Sequence, residues 1–290
     1  MVLRTSEPRL RPEEFELLRH FFNRRAGLSF TAQALPVFEQ RLGPRLSALG
    51  IDSFRDYYRA LSFGVQSEAE TEEALSLLTT SETYFFRNAD QLSALREKIL
   101  PELERQYRDG RRLRIWSAGC SSGEEAYTLA ILLQESALFS GWDVRVLGSD
   151  LCKSRIQAAR RGRYPESSFR TTAPWRRERY FTRSGSEWEV APSLRGMCEF
   201  LSANLCETAE ASLVGRVHAV LCRNVLIYLD DGSREKVVAN LFERLLPGGF
   251  LLLGHSESLS NSRSGFELIS DTHDTAYKKP GTTRAREATR

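Results

Sequence analysis

The stretch Leu113-Arg114-Ile115-Trp116-Ser117-Ala118-Gly119-Cys120-Ser121-Ser122-Gly123-Glu124-Glu125 decides the fold. A short apolar run, Leu113 to Ala118, meets a loop of small residues that opens a helix, the way a strand in an open α/β sheet delivers its ligand loop. Gly119 and Gly123 allow a sharp turn and a close backbone approach to a ligand. The loop has no GxGxxG and no Lys, which argues against a dinucleotide fingerprint and against a P-loop. Glu124 and Glu125 suit the positive end of a helix but would repel a pyrophosphate, so a cationic ligand such as an amino acid sulfonium fits better. Ordinary first-turn helix chemistry is the competing reading of the two acids.

Outward from this stretch, short apolar runs alternate with amphipathic helices, the pattern of a mostly parallel sheet. The further strand candidates are Val144 to Gly148, Ala219 to Cys222 and Phe250 to Leu253, with edge strands within Phe266 to Lys278. The second strand ends in Gly148-Ser149-Asp150, where Asp150 either accepts both hydroxyls of a ribose or caps the helix starting at Lys153. Cys222-Arg223-Asn224 follows the third, and Ser202-Ala203-Asn204-Leu205 forms another loop. Asn side chains at such tips pair with an adenine edge or the amino acid part of a cofactor, or stabilise turns.

Upstream, residues 1–78 read as a helical unit. Pro12 starts a helix with Glu13 and Glu14 in its first turn, Phe15, Leu18, Phe21 and Phe22 repeat at helical spacing, and Gly27 ends it. Further helices are expected over Ala34 to Leu49, Ser53 to Phe63 and Ser67 to Leu78, with Gly43-Pro44 kinking or splitting the first of these and Asp52 or Ser53 capping the second. Another helix spans Asn88 to Tyr107. Residues 79–279 carry the α/β pattern, and 280–290 read as a disordered basic tail.

Composition agrees with a folded globular protein: 41% hydrophobic and 27% charged residues in a chain of 290, with Arg far outnumbering Lys. No apolar run is long enough to span a bilayer, and the charged opening lacks a signal-peptide core, so a cytoplasmic protein without membrane insertion is expected. The five cysteines contain no CxxC pair and the four histidines stand apart in sequence, which suggests reduced thiols and no metal site. The net charge of +3 is uneven: Lys153 to Arg183 holds ten basic residues against Glu166 and Glu178. That segment attracts an acidic partner or forms a solvated helical face.

Four blocks in order give the chain a resemblance to the CheR family of chemoreceptor glutamate methyltransferases. They are Thr79-Thr80-Ser81-Glu82-Thr83-Tyr84-Phe85-Phe86-Arg87, Trp116 to Tyr127 around Ser117-Ala118-Gly119-Cys120, Cys222-Arg223-Asn224-Val225-Leu226-Ile227-Tyr228 and Gly254-His255-Ser256-Glu257. The resemblance implies an α/β, methyltransferase-type doubly wound and mostly parallel sheet, with a small N-terminal all-helical domain and a small inserted β-subdomain at about 180–200. It also implies S-adenosylmethionine as cofactor. By matching motifs, Ser81, Thr83 and Arg87 touch the cofactor or the reacting carboxylate, with Gly119 in the cofactor loop. Glu125 meets the methionine amino group, Asp150 the ribose, Asn204 and Leu205 border the adenine, and Arg223 and Asn224 close the pocket beneath the substrate. Family members often carry Asn where this chain has Ser81.

The implied reaction transfers a methyl group to glutamate carboxylates of a chemoreceptor-like protein with acidic helices. A glutamate is ionised near pH 7, so no general base is needed and the protein's work is positioning. Arg87 is expected to hold the acceptor, and Tyr228 to orient donor or acceptor or to form an aromatic wall. Two rivals are a non-catalytic cofactor-sensing or partner-binding module, which would have no need of Arg87, Glu125, Asp150 and Tyr228, and a nucleic-acid methyltransferase, for which no base-flipping motif is present. Tyr180-Phe181 and Trp188-Glu189-Val190, with Met197 to Phe200 behind them, read as short strands around Ser184-Gly185-Ser186. That turn is shorter and poorer in Gly than in family members that capture a receptor's C-terminal peptide. Docking through Arg41, Arg45 and the basic Lys153 to Arg183 segment, without such a tether, is therefore expected.

Overall fold

The computed structural model describes residues 8–79, 82–259, 264–269 and 276–281. Four helices form the N-terminal unit: α1 (Pro12–Ala26), α2 (Leu35–Leu49), α3 (Phe54–Phe63) and α4 (Ser67–Leu78). Their apolar stripes bury Phe15, Leu18, Phe22, Phe38, Leu42, Leu46, Phe54 and Tyr57 in one core. Gly27 ends α1 at φ +70°, and the Ser53 side chain caps α3 by accepting from the Asp56 N–H.

Pro44 does not split α2, which runs unbroken through it. An interior proline costs about 3 kcal/mol. Complete burial of Phe38, Leu42 and Leu46 on the same helix outweighs this, at roughly 1.5–3 kcal/mol each.

Next, α5 (Ala89–Ala94) passes through a π-turn (Leu95–Ile99) into α6 (Leu100–Tyr107). The α/β part then alternates β1 (Arg112–Ala118), α7 (Glu124–Ser136), β2 (Asp143–Asp150) and α8 (Lys153–Arg161). An inserted unit follows: β3 (Arg163–Pro165), α9 (Pro174–Tyr180), β4 (Phe181–Ser184) and β5 (Glu187–Val190). The chain returns through α10 (Pro192–Arg195), β6 (Cys198–Ser202), α11 (Thr208–Ser212), β7 (Val217–Cys222), α12 (Asp231–Arg244) and β8 (Leu245–Leu253). β9 (Glu267–Ile269) and β10 (Ala276–Lys278) fulfil the expected edge strands. Residues 282–290 of the expected tail lie outside the described residues.

The main sheet has the order β6-β2-β1-β7-β8-β10-β9, parallel from β6 to β8 and antiparallel at β10 and β9. Alternate residues of β1 serve opposite faces: Ile115 packs with Leu129 and Ala130 of α7, Trp116 with Val237 and Leu241 of α12. The chain moves outward from β1 to β2 and β6, then returns to β7 on the other side of β1. This reversal opens a crevice at the carboxyl ends of β1 and β7, where ligands of open α/β sheets bind.

The small β-subdomain differs from its expected bounds of 180–200. Its sheet has the order β3-β5-β4, so it begins at Arg163 and ends at Val190. Cys198–Ser202 instead pairs in parallel with β2 in the main sheet, Gly148 opposite Phe200. A Cβ at Gly148 would stand 2.6 Å from the Phe200 ring, so this glycine admits the edge strand's aromatic residue.

Candidate functional site

The crevice carries a cleft lined by Thr83, Arg87, Gly119, Glu125, Asp150, Asn204, Leu205, Arg223, Asn224 and Tyr228, so these sequence candidates come together. Ser81 lies outside the described residues. Ala26, Leu28 and Thr79 line the same cleft from the helical unit and its junction, a contribution that local sequence patterns do not show.

After β1 the chain turns at Gly119, φ +82°, where a Cβ would lie 2.3 Å from a Val225 methyl. The Gly119 and Cys120 N–H groups both donate to the Ser149 carbonyl at 2.8 Å, tying the β1 and β2 tips together. Glu124 is buried and accepts from the Ser122 hydroxyl at 2.7 Å and Ser168 at 3.2 Å, so it braces the loop. Burial pushes its carboxyl up, against the opposing pull of these hydroxyls and that of Thr83.

Glu125 faces the cleft. Its Oε1 accepts from Ser117 at 2.6 Å and its Oε2 from Arg223 Nη1 at 3.0 Å. Arg223 Nη2 donates to the Arg87 carbonyl at 2.7 Å. Arg223 thus acts as a buried strut between the α7 start and the 82–87 segment.

Asp150 lines the cleft and binds two backbone N–H groups. Its Oδ2 accepts from the Ser121 N–H and its Oδ1 from the Cys152 N–H, both at 2.9 Å. The N-cap of α8 is Cys152, so Asp150 braces two loops and does not cap that helix. A carboxylate offers about four lone-pair sites, which leaves acceptor capacity for ribose hydroxyls. Burial pushes the Asp150 carboxyl up, opposed by the Cys152 N–H, Arg155 and the Ser121 N–H.

Asn204 follows the turn-stabilising reading. Its Nδ2 donates to the Arg25 carbonyl and its Oδ1 accepts from the Cys206 N–H, both at 3.0 Å, binding the end of α1 to the cleft wall. Leu205 adds apolar surface beside it. Asn224 sits at φ +59°, and its backbone N–H donates to Glu257. The buried Glu257 carboxylate accepts from the N–H groups of Gly254, Asn224 and Val225 at 2.7–2.9 Å and of Ile227 at 3.3 Å. It anchors the loop that presents Tyr228, an assignment its sequence position alone does not reveal. The Tyr228 carbonyl in turn accepts from the Ser29 N–H at 2.7 Å.

Six of the twelve cations of the expected basic docking surface pair with acids of the same chain. Arg41 donates to the last carbonyls of α4, at Leu77 and Leu78, and Arg45 pairs with Glu70. Within the basic segment, Lys153 pairs with Glu72, Arg163 with Glu189, Arg170 with Glu82, Arg176 with Glu135 and Arg177 with Glu166. Arg155 spends Nη2 on the Ser76 and Thr79 carbonyls and the Thr79 hydroxyl. These cations hold elements of the protein together, which a count of charges along the sequence cannot show.

Residues 81–275 match the family model "CheR methyltransferase, SAM binding domain", and residues 13–79 match "CheR methyltransferase, all-alpha domain". The chain belongs to the CheR methyltransferase family. Among its relatives is chemotaxis protein methyltransferase 2 of Vibrio cholerae, 34% identical over 92% of this chain and 93% of that protein. Chemotaxis protein methyltransferase 1 of Pseudomonas aeruginosa is 33% identical over 91% of this chain and 97% of its own length. The chemotaxis protein methyltransferase of Salmonella typhimurium is 34% identical over 89% and 88%.

The cofactor of this CheR chain is S-adenosylmethionine, and the cleft fits it. Two acidic side chains with spare acceptor capacity suit a cationic, hydroxyl-bearing ligand, Gly119 lets the backbone approach, and Leu28, Ala203 and Leu205 offer apolar surface for a base. The non-catalytic reading is not favoured. Among the described residues no helix is long and apolar enough to cross a membrane.

Proposed function

We propose that the chain is a cytoplasmic protein-glutamate O-methyltransferase whose acceptor is a methyl-accepting chemoreceptor-like protein with acidic helices. The observation that carries this reading is the position of Arg87 at the lip of the cleft. It is half-buried, its Nη1 donates to the Glu82 carbonyl at 2.6 Å, and it lines the cleft together with the acids that suit the cofactor. A guanidinium there is a planar receptor for an incoming carboxylate.

The acids lining the cleft are already engaged: Asp150 by two N–H groups, Glu125 by Arg223 and Ser117, and Glu82 by Arg170. An acceptor that first had to lose a proton would need a free base. A carboxylate does not. The cofactor supplies a methyl group on a sulfonium; the protein's task is to align the acceptor oxygen with it and to exclude water.

In this reading Asp150 holds the ribose and Glu125 the methionine amino group, while Ser81 and Thr83 contribute polar contacts. Asn204 and Leu205 border the adenine, with Leu205 as an apolar wall and Asn204 fixing the loop from behind. Arg223 and Asn224 shape the floor, and Tyr228 faces donor or acceptor. Residues 1–78 form the helical domain and 79–279 the catalytic domain.

The test is incubation with radiolabelled cofactor and separate chemoreceptor and nucleic-acid acceptors, followed by base treatment. A carboxyl methyl ester releases volatile labelled methanol from the receptor. Label that stays bound to protein after base, or that enters only nucleic acid, would overturn the assignment.

A further inference from the structure

Residues 82–87 form the lip of the cleft, and their two halves are held differently. The inner half is packed: the Phe85 ring lies 4.8–4.9 Å from the rings of Tyr164, Phe169 and Phe181, and the Phe86 N–H donates to Thr128. The outer half, Glu82 to Tyr84, is more exposed and is gripped from outside by Arg170. Arg170 Nη2 lies 2.6 Å from Glu82 Oε1, and its guanidinium carbon stands 3.7 Å from the centre of the Tyr84 ring. Arg87 leans on the same two residues, with Nη1 on the Glu82 carbonyl and Cζ 5.7 Å from the same ring.

Arg170 does not line the cleft. It follows the short turn Glu166–Phe169 of the inserted unit, between β3 and α9.

We propose that Arg170 is a positioning residue for Arg87: from the inserted β-subdomain it fixes the Glu82 and Tyr84 platform on which the acceptor-binding guanidinium rests. This rests on the reading of Arg87 as the group that receives the acceptor carboxylate. An exposed ion pair and an exposed cation–π contact add little to global stability. Their consequence here is orientation, and a displacement of about 1 Å at a reacting group costs up to about a hundredfold in rate. A planar guanidinium can stack on Tyr84 while bonding Glu82 in a fixed plane; an ammonium keeps the charge without the plane.

The experiment compares wild type, Arg170→Ala and Arg170→Lys in receptor methylation, cofactor calorimetry, thermal melting and amide hydrogen exchange. For Arg170→Ala, kcat is expected to fall about tenfold while receptor KM and cofactor Kd stay within about twofold and melting is unchanged. Arg170→Lys is expected to recover only part of the loss. Exchange in the peptide covering residues 82–87 should rise in Arg170→Ala, with β1 unaffected.

A kcat within about twofold of wild type would overturn the proposal. So would full recovery in Arg170→Lys, which would mean charge steering, or a joint loss of kcat, cofactor affinity and melting temperature, which would mean a structural role. If the wild type itself forms no base-labile ester, it is the proposed function that fails. The exchange comparison then still decides whether Arg170 holds the lip, since unchanged exchange at 82–87 overturns the inference without any acceptor.

Discussion

Arg223 Nη1 and Glu125 Oε2, 98 residues apart in sequence, meet at 3.0 Å, with the Arg223 side chain 3% exposed. The pair joins the tip of β7 to the first turn of α7, and through Arg223 Nη2 it reaches the backbone of Arg87. Removing one partner of a buried pair strands the other charge, which costs about 3–5 kcal/mol. Glu125→Ala is therefore expected to lower unfolding free energy by about 3 kcal/mol, at the low end because Glu125 is partly exposed. Urea denaturation measures it; a loss below about 1 kcal/mol would show the pair to be a solvated contact.

For Asp150, charge-assisted bonds to ribose hydroxyls are worth about 1.5–3 kcal/mol each, so Asp150→Ala should weaken cofactor binding about tenfold or more. The carboxyl titrates above its ordinary value because it is buried, and only the ionised form accepts from the ribose while keeping its two N–H bonds. Cofactor affinity should thus fall on acidification already above the usual aspartate range, and Asp150→Asn should flatten that dependence. The sign for folding is opposite. With the folded value above the unfolded one, ionisation costs stability as pH rises between the two, so the cofactor-free wild type should lose stability there and Asp150→Asn should not. Calorimetry and denaturation across pH measure both; a pH-independent affinity in folded wild type would return Asp150 to loop bracing alone.

Arg87→Lys separates acceptor binding from cofactor binding. Lys keeps the charge but loses the planar fork, so kcat should fall by about tenfold or more while cofactor Kd changes little. Single-turnover kinetics beside calorimetry measure the two quantities. Equal losses in both would make Arg87 a cofactor ligand.

At Gly27, φ +70°, a Cβ would meet Cys206 Sγ and the Ser233 side chain at 2.7 Å. The neighbouring Ala26 and Leu28 line the cleft, and the Asp230 N–H donates to the Gly27 carbonyl. Gly27→Ala should therefore push the helical unit off the cleft wall, costing about 2–3 kcal/mol from steric shift plus left-handed strain and weakening cofactor binding with it. Gly141→Ala is the control: its φ is +77° but no atom lies within 4 Å of a Cβ, so only the strain of about 1–2 kcal/mol applies and cofactor affinity should hold. Equal effects of the two substitutions on cofactor binding would show that the contact across the units does not matter.

Much of the architecture was legible because it is written in local periodicity. The spacing of Phe15, Leu18 and Phe22 marks α1, Ser53 marks the start of α3, and the step from Ala118 to Gly119 marks the end of β1. Gly119, Asp150, Asn204, Arg223 and Asn224 were legible because they stand at or just beyond strand ends, where the fold class puts ligands, whereas Ser81, Thr83 and Arg87 were expected only from the family resemblance. The split expected at Pro44 is absent because a local rule is overridden by burial of the rest of α2. Met197 to Phe200 misled because alternation identifies a strand but not its partner, and the neighbour proved to be β2.

By itself, then, the sequence determined the longer helices and the central strands, the order of the units, the glycine turns and the residues at those strand tips, because each depends on neighbours within a few positions. Only the tertiary structure decided what those residues touch. Asn204 is spent on the Arg25 carbonyl, Arg41 on the end of α4, Glu257 on the loop before Tyr228, and Arg170 on the lip that carries Arg87. These partners lie 30 to 179 residues away along the chain, and charged or amide side chains of one type serve equally as ligand, strut or cap. Which of these roles each takes is settled by burial and by the hydrogen-bonding groups that packing brings within reach.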